Sequence, residues 1–508
     1  MKYDVIIIGS GLGGLECGYI LARQGKRVLI LEQGSQPGGC LQSYKRKGLS
    51  FDTGFHYVGG LGEGESLHSV FKYLDLISLP WHQLDKYCFD KVTIGERSFD
   101  LAQGYENFCD QLAGEFPSER IGLMHYTKQL RDSITEQVNP FSPEAIHPEY
   151  MGALVTTSAW KFLEDTFHDP LLRDVLSGTS LKMELRKESL PLFSFLHGNS
   201  SYVESSWRLK GDASQIVDRL VHGIRTMGGE IICQALVTEL VEKNGRLRCA
   251  VCADGERYEG DMFISGIHPA QTCDLVKDSC KLKKVFRRRI DEASNTFGMF
   301  TVSLVFPPHT MRYLNYNHYI YRKGDIWDIH EKGLKQEWVY RENGMLHKEI
   351  EEVDGVLMSS RVPEDGSEYT RQVDLLTPMP WNLCKDWQGT KVGHRDSGYE
   401  EMKEQLADKC IELVAHFIPN IRGYSYRYTS TPLTWHDYTL TPEGSAYGMR
   451  KDYRNPLMTV LSPRTPIPNL LFTGQNLMLH GVHGVTMTSL HTCAAILGKE
   501  VIWKILNT

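Results

Sequence analysis

The sequence predicts an α/β fold, and three observations predict it. The apolar run Asp4-Val5-Ile6-Ile7-Ile8 leads straight into Gly9-Ser10-Gly11-Leu12-Gly13-Gly14, which fits G-x-G-x-x-G. A helical pattern follows to Gln24, and Gly25 ends it before a second apolar run over 27–31. Near the other end of the chain, Asn469-Leu470-Leu471-Phe472-Thr473-Gly474-Gln475 reads as a buried strand ending in glycine, followed by Gly481, Gly484 and a helical pattern over 486–497. The opening order of strand, glycine turn, helix and strand is that of a Rossmann-like unit.

Each part of that unit has a mechanical role. Gly9 permits the tight turn, Gly11 lets the backbone approach a pyrophosphate, and Gly14 lets helix and strand pack closely. Ser10, Leu12 and Gly13 complete a loop that ends at a helix N-terminus. There, free N–H groups and the positive end of the helix dipole suit phosphates. The second strand ends on Glu32, 23 residues after Gly9, and is followed by Gln33. Glu32 is placed to accept hydrogen bonds from ribose hydroxyls. A dinucleotide site is therefore expected. A second glycine turn, Pro37-Gly38-Gly39-Cys40, lies just beyond it.

The remaining elements follow in order. Residues 81–100 read as two or three short strands around Thr93-Ile94-Gly95-Glu96. Residues 104–190 are mostly helical, with breaks at Pro117, Pro140-Phe141-Ser142-Pro143 and Asp169-Pro170. A helix is expected over 211–225 and a strand at Gly228-Gly229-Glu230-Ile231-Ile232. Residues 236–241 and 248–253 form an expected antiparallel pair closing at Asp254-Gly255, and Met262-Phe263-Ile264-Ser265-Gly266 is a further strand. The stretch 276–455 reads as a second unit, with strands at 300–306 and 356–361 and an amphipathic helix over 399–417. The expected organisation is discontinuous: 1–80, 205–275 and 456–508 in a Rossmann-like unit, and 81–204 with 276–455 in a mixed-sheet and helical unit.

Composition narrows the function classes. Of 508 residues, 41% are hydrophobic and 23% charged, an ordinary globular balance. The net charge is −7 and the one basic cluster, 281–289, reads as a solvated helix face, so nucleic-acid binding is not expected. No apolar stretch reaches the ~18 residues of a spanning helix. The first strand begins near Tyr3 and leaves no room for a secretory signal. A cytoplasmic protein is expected, at most peripheral to the inner face of a membrane. Twelve scattered cysteines suit a reducing compartment. Cys249 and Cys252, three apart on a strand, point to opposite faces and do not form a metal pair. No second G-x-G-x-x-G exists, so any NAD(P)H is expected to visit as a diffusible reductant rather than to reside.

Taken together these motifs resemble the phytoene desaturase, carotenoid isomerase and all-trans-retinol 13,14-reductase family of FAD-dependent oxidoreductases. The resemblance runs nearly end to end. It is carried by Gly9–Gly14, Glu32, Gly38-Gly39, Phe51-Asp52-Thr53-Gly54-Phe55-His56-Tyr57 and Asp165-Thr166-Phe167. It continues through Ser265-Gly266-Ile267-His268-Pro269, Thr431-Pro432-Leu433-Thr434, Gly444-Ser445-Ala446-Tyr447-Gly448 and Gly474-Gln475. It implies the two-dinucleotide-binding-domain flavoprotein fold, α/β (α+β) in class, with FAD as cofactor. The implied FAD contacts are Gly9, Ser10, Gly11, Leu12, Gly13, Gly14, Glu32, Gln33, Gly38, Gly39, Cys40, Val237, Ser265, Gly266, Gly474, Gln475, Gly484, Val485 and Thr486. The sequence departs from the family at Leu479-His480-Gly481-Val482-His483-Gly484, where a Pro/Gly-rich turn is usual.

The resemblance places His56 and Tyr57 near the flavin and makes them the candidate proton donors, with bound water as the plainer source. His480 and His483 are expected beside the flavin rather than on a metal, because no further ligand is apparent. Tyr447 reads equally as channel lining or as core. Trp160, Phe162, Phe167, Phe193 and Phe195 read mainly as core, with some lining a tunnel for an apolar substrate or forming a patch at its mouth. The expected chemistry is at a C=C bond of an apolar polyene or isoprenoid-type molecule. Reduction, desaturation and isomerisation would all use this one site. A flavin amine oxidase of the same fold is the alternative enzyme, and a prenyl-protein binder of the Rab GDP-dissociation-inhibitor type the alternative non-enzyme.

Overall fold

A computed structural model of the chain describes residues 2–138, 141–142, 148–340 and 346–507. Pro140 and Pro143, two of the expected helix breakers, lie outside the described residues.

The first strand, Lys2–Ile8, lies between two parallel neighbours, with Val5 opposite Val28 on one side and Met262 on the other. Its last four residues are all buried, as are all four of Val28–Leu31. This is why both strands read as unbroken apolar runs: a parallel strand covered on two faces has no solvent side to alternate with. Glu230–Ile232 extends the sheet beyond Val28–Leu31. On the far side, the long strand Arg257–Ser265 pairs antiparallel with Arg246–Cys252 over its first half and parallel with Leu470–Phe472 over its second. The two ends of the chain thus meet in one sheet, where Phe263 stands opposite Leu470 and Ile6. The helices Leu12–Arg23, Ser214–Thr226 and Gly481–Leu497 join it in one apolar core.

Two details differ from the sequence reading. The pair Val237–Lys243 and Arg246–Cys252 turns at Asn244-Gly245, with both residues at positive φ. Asp254-Gly255 instead joins Arg246–Cys252 to Arg257–Ser265. Both dipeptides suit a tight hairpin, so local chemistry alone could not rank them. The last helix starts at Gly481, five residues before the expected Thr486. Its glycine-rich first turn has low intrinsic helix propensity and hides the start.

The second sheet has seven strands in the order Tyr426–Ser430, Gly298–Val305, Gln372–Met379, Gly355–Ser360, Asn317–Tyr321, Asp90–Ile94 and Arg97–Leu101. Successive side chains on a strand point to opposite faces. Phe300, Met358 and Leu375 pack with the helix Ser397–Phe417 on one face. Their chain neighbours Met299, Leu357 and Leu376 face the other way and floor a large cavity.

The helices between 105 and 204 pack above that floor around the fully buried Trp327. Phe167, Phe193 and Phe195 are fully buried there, and the Trp160 ring meets Trp327 edge-on at 5.3 Å. None of the five aromatics singled out in this region lines the cavity, and none is a surface patch. The apolar density there is structural, built around a tryptophan some 130 residues further along. No helix of the described residues is long and apolar enough to cross a membrane.

Candidate active site

The glycine turn builds a cradle whose shape follows from what a side chain would meet. Gly9 holds φ +91°, and a Cβ on Gly14 would lie 2.2 Å from the Gly9 carbonyl oxygen, so both positions require glycine. At Gly11 the situation is opposite. A Cβ there would meet nothing within 4 Å, because the space over it is the cavity itself. Glu32 is fixed at the cradle's edge. One carboxylate oxygen accepts from the Ser10 N–H at 2.9 Å and the other from the Gly34 N–H at 2.8 Å. The Gly38 N–H donates to the Ser10 carbonyl at 3.0 Å, bringing the second glycine turn alongside Gly11. From the other end of the chain, Gly474 packs against Gly13 so closely that a Cβ on Gly13 would be 3.0 Å away.

These pieces border one cavity of about 560 Å³. Seventeen of the nineteen residues expected to contact the cofactor line it, including Leu12, Gln33, Cys40, Val237, Gly266, Gln475, Gly484 and Val485. Ser265 and Thr486 do not. The Ser265 hydroxyl shares a hydrogen bond with Thr272, and Thr486 donates to Glu16 at 2.7 Å. Exposed backbone N–H groups, a ribose-height carboxylate and open space over Gly11 together fit a dinucleotide.

The cavity's other wall carries titratable side chains. Tyr57 donates to Asp90 at 2.9 Å and shares a hydrogen bond with the Tyr319 hydroxyl at 2.8 Å. Lys182 donates to the Tyr57 oxygen at 3.3 Å, and its ammonium lies 4.0 Å from the centre of the Tyr202 ring. Burial pulls the Lys182 pKa down to about 8, with Asp90 opposing. Burial and the Asp90 charge hold the Tyr57 hydroxyl well above its ordinary value. Lys182, His197, Ser201 and Tyr202 line the cavity but carried no sequence signal. Lys182 sits in the short helical turn Gly178–Lys182, and the other three on the helix Leu192–Glu204. Only a spacing of i, i+4 between His197 and Ser201 could have hinted that they share a face.

Five histidines border the cavity: His56, His197, His268, His480 and His483. His56 also borders a small polar chamber with Arg208, Arg361 and Asp374. Burial lowers its pKa, so it is a neutral imidazole at neutral pH. A ring nitrogen of His480 is hydrogen-bonded to the Lys182 carbonyl at 2.9 Å, which ties the start of the last helix to the lysine's own backbone. The Tyr447 ring lies 4.7 Å from that of His480, tilted by 37°, and its hydroxyl donates to the Leu181 carbonyl at 2.7 Å, so it is both cavity lining and structural support. No cluster of three or more metal-ligating side chains occurs among the described residues.

Comparison with known proteins agrees with this geometry. The family profile of the NAD(P)-binding Rossmann-like domain matches residues 7–74. All-trans-retinol 13,14-reductase of Danio rerio is 25% identical, over 97% of this chain and 86% of that protein. The chloroplastic prolycopene isomerase of Daucus carota is 24% identical, over 98% of this chain and 81% of that protein. The chain is similar to both over nearly its whole length. Solved structures show how widely the fold is shared. Putrescine oxidase bound to putrescine superposes with a TM-score of 0.61 at 15% identity, covering 98% of this chain and 99% of that one. At that identity the likeness concerns the fold alone.

Proposed function

We propose that this protein is an FAD-dependent oxidoreductase that acts on a C=C bond of an apolar conjugated substrate. The observation that carries the reading is the composition of the large cavity. A glycine cradle forms one wall, Met299, Leu357 and Leu376 form an apolar floor, and a proton-bearing Tyr57–Lys182 pair stands on the wall between. The Rossmann-like unit would hold the cofactor and the seven-stranded sheet with its helices would hold the substrate. Bound FAD supplies a carrier for the electron pair. NAD(P)H would serve as a visiting reductant.

The chain's own contribution is position and the proton. The floor excludes water and aligns an extended apolar molecule along the sheet. Of the groups at the wall, Lys182 has the pKa best matched to proton transfer near neutrality. Tyr57 is held protonated, and His56 has no second proton to give at neutral pH. We therefore place the transferable proton on Lys182 Nζ, with Tyr57 as the hydrogen-bonded relay at its oxygen. In the reducing direction this ammonium gives its proton to one alkene carbon and becomes a neutral amine. In the oxidising direction the amine takes a proton up.

The rim offers a route for a substrate scarce in water. Leu236, Tyr438 and Leu440 border the cavity and are 43%, 59% and 39% exposed. Peripheral contact with a bilayer through this rim would deliver the substrate. The test is anaerobic turnover of a polyene panel by the flavin-loaded protein with and without NAD(P)H, beside a panel of primary amines in air assayed for peroxide. Polyene conversion supports the proposal. Amine oxidation without polyene conversion would replace it with the amine-oxidase reading, and a colourless protein that binds prenylated peptides would replace both.

A further inference from the structure

Among the described residues that border the large cavity, Lys182 is the only lysine or arginine. It closes the turn Gly178–Lys182 and reaches the wall between the Tyr57 hydroxyl and the face of the Tyr202 ring. An ammonium has three N–H donors. Among the described residues one of them has an acceptor, the Tyr57 oxygen at 3.3 Å. The counter-charge, Asp90, stands behind Tyr57, which donates to it at 2.9 Å, and is itself held by the Asn317 amide at 2.8 Å. The other titratable groups around the amine, Tyr57, Tyr202 and His480, are kept neutral by burial. The floor of the cavity, Met299, Leu357 and Leu376, is apolar.

Once an apolar molecule fills that space, two N–H groups of the ammonium face hydrocarbon. An unpaired buried donor costs stability. A protonated imine on the same nitrogen fits the wall better. It keeps the positive charge that Asp90 and the Tyr202 ring favour, and it has a single N–H, which the Tyr57 oxygen can accept. We propose that Lys182 is a capture site for apolar aldehydes, which it binds covalently and reversibly as an imine. The capture itself rests only on the amine facing the cavity. Its effect on turnover rests on the proton role given to Lys182 above.

The step balances without oxidant or reductant. The two hydrogens of the neutral amine leave with the carbonyl oxygen as water, and a C=N bond joins the aldehyde carbon to Nζ. A solvent proton then makes the imine a cation. The neutral amine is the nucleophile, which is why desolvated lysines form such bonds. Burial brings Lys182 to about 8 from an ordinary 10.5. At pH 7 its neutral fraction therefore exceeds that of an exposed lysine by on the order of 10²-fold, which gives the capture its selectivity. The attached chain occupies the apolar floor, so a captured aldehyde closes the site to other substrates.

The test incubates the flavin-loaded protein at pH 7 with naphthaldehyde, an aryl aldehyde with no alkene for thiols to add to, and then with cyanoborohydride. Reduction fixes any imine as a secondary amine, which peptide mass spectrometry locates. The expected result is one label per chain, on Lys182, with the exposed Lys283 and Lys284 labelled at least about tenfold less. Lys182→Arg and Lys182→Met should abolish that label. Without cyanoborohydride the label should dialyse away. Labelling of Lys182 no stronger than that of the exposed lysines overturns the proposal. Labelling confined to flavin-free protein also overturns it, because Lys182 would then lie behind the cofactor. Where neither variant folds, the label map of the unaltered protein decides on the same terms. Capture at Lys182 by a protein that converts no polyene leaves the imine standing and sinks the turnover reading. Polyene turnover with Lys182 unlabelled does the reverse.

Discussion

The cavity has two walls built on different principles. The cradle is made of backbone: Gly9, Gly11, Gly14, Gly38 and Gly474 contribute close approach and N–H groups, and the one side chain that matters, Glu32, is held by two backbone N–H donors. The opposite wall is made of side chains from four separate segments: Tyr57, Lys182, His197 with Ser201, and His483. A backbone wall is specified by where side chains are absent, and tolerates nothing at those points. A side-chain wall is specified by chemistry, and its members can be exchanged one at a time at a graded cost. Substitutions on the two walls should therefore fail in different ways.

The largest effect is expected within the cradle, where two neighbouring glycines should separate binding from folding. Gly11→Val puts its side chain into open cavity at an ordinary φ of −62°. The fold should survive and flavin should be lost almost completely, giving colourless protein with a normal circular dichroism spectrum. Gly14→Val drives its Cβ into the Gly9 carbonyl. That collision is with backbone, so the expected result is loss of stability by at least the ~1–3 kcal/mol of an overpacked core. Full flavin content in Gly11→Val would remove the dinucleotide from this site.

On the other wall, Lys182→Met should leave flavin content unchanged and slow the protonation step by about 10²–10⁴-fold. Lys182 is charged below about pH 8. In the reducing direction the rate should be flat below that value and fall as pH rises through it, and the variant should lose that falling limb. Tyr57→Phe keeps the lysine and should cost less, on the order of tenfold, while shifting the limb, because it removes only the relay. A Lys182→Met enzyme with the full rate and an unchanged pH profile would return the proton to His56 or to water.

The same division explains what was legible in the sequence. The cradle could be read because glycine spacing is a local signal. G-x-G-x-x-G after an apolar run, and an acid 23 residues on, report a backbone path that few other sequences take. The chain-end sheet could be read for a similar reason, since Leu470–Phe472 is short, apolar and stops at glycine. Lys182 could not be read. It follows a helix in a stretch without periodicity, and only the parallel pairing of Asp90–Ile94 with Asn317–Tyr321 sets Asp90 and Tyr319 beside Tyr57. The aromatics of 160–195 were easy to see and hard to place, because their partner Trp327 is remote in sequence. Composition recorded that they were apolar, but not which side of the helices faced the cavity.

The smallest step between neighbouring measurements is the one that probes whether the cradle is as free of titration as its backbone character implies. Glu16 lies on Leu12–Arg23, directly behind the glycine turn, and is fully buried. It accepts from Thr486 of the closing helix at 2.7 Å, and its other oxygen has no partner among the described residues. Burial raises its pKa to about 8. The folded protein therefore keeps a proton on Glu16 that the unfolded chain releases above its ordinary value near 4.5. Between those values the folded state binds more protons than the unfolded, so stability falls as pH rises, by at most about 1.4 kcal/mol per pH unit, and the loss levels off above about pH 8. Other buried groups act in the opposite sense. His480 and His483, lowered to about 4, add stability as pH rises towards their ordinary value near 6.5, and Lys182 adds it above about 8. Glu16→Gln leaves those contributions in place, so the difference between the two proteins isolates the carboxyl. Urea unfolding at pH 5.5, 6.5 and 7.5 should show the glutamine variant gaining relative stability at each step. Parallel stability curves would mean that Glu16 ionises in the folded state as it does in the unfolded chain, and that the protein accommodates a charge behind the cradle.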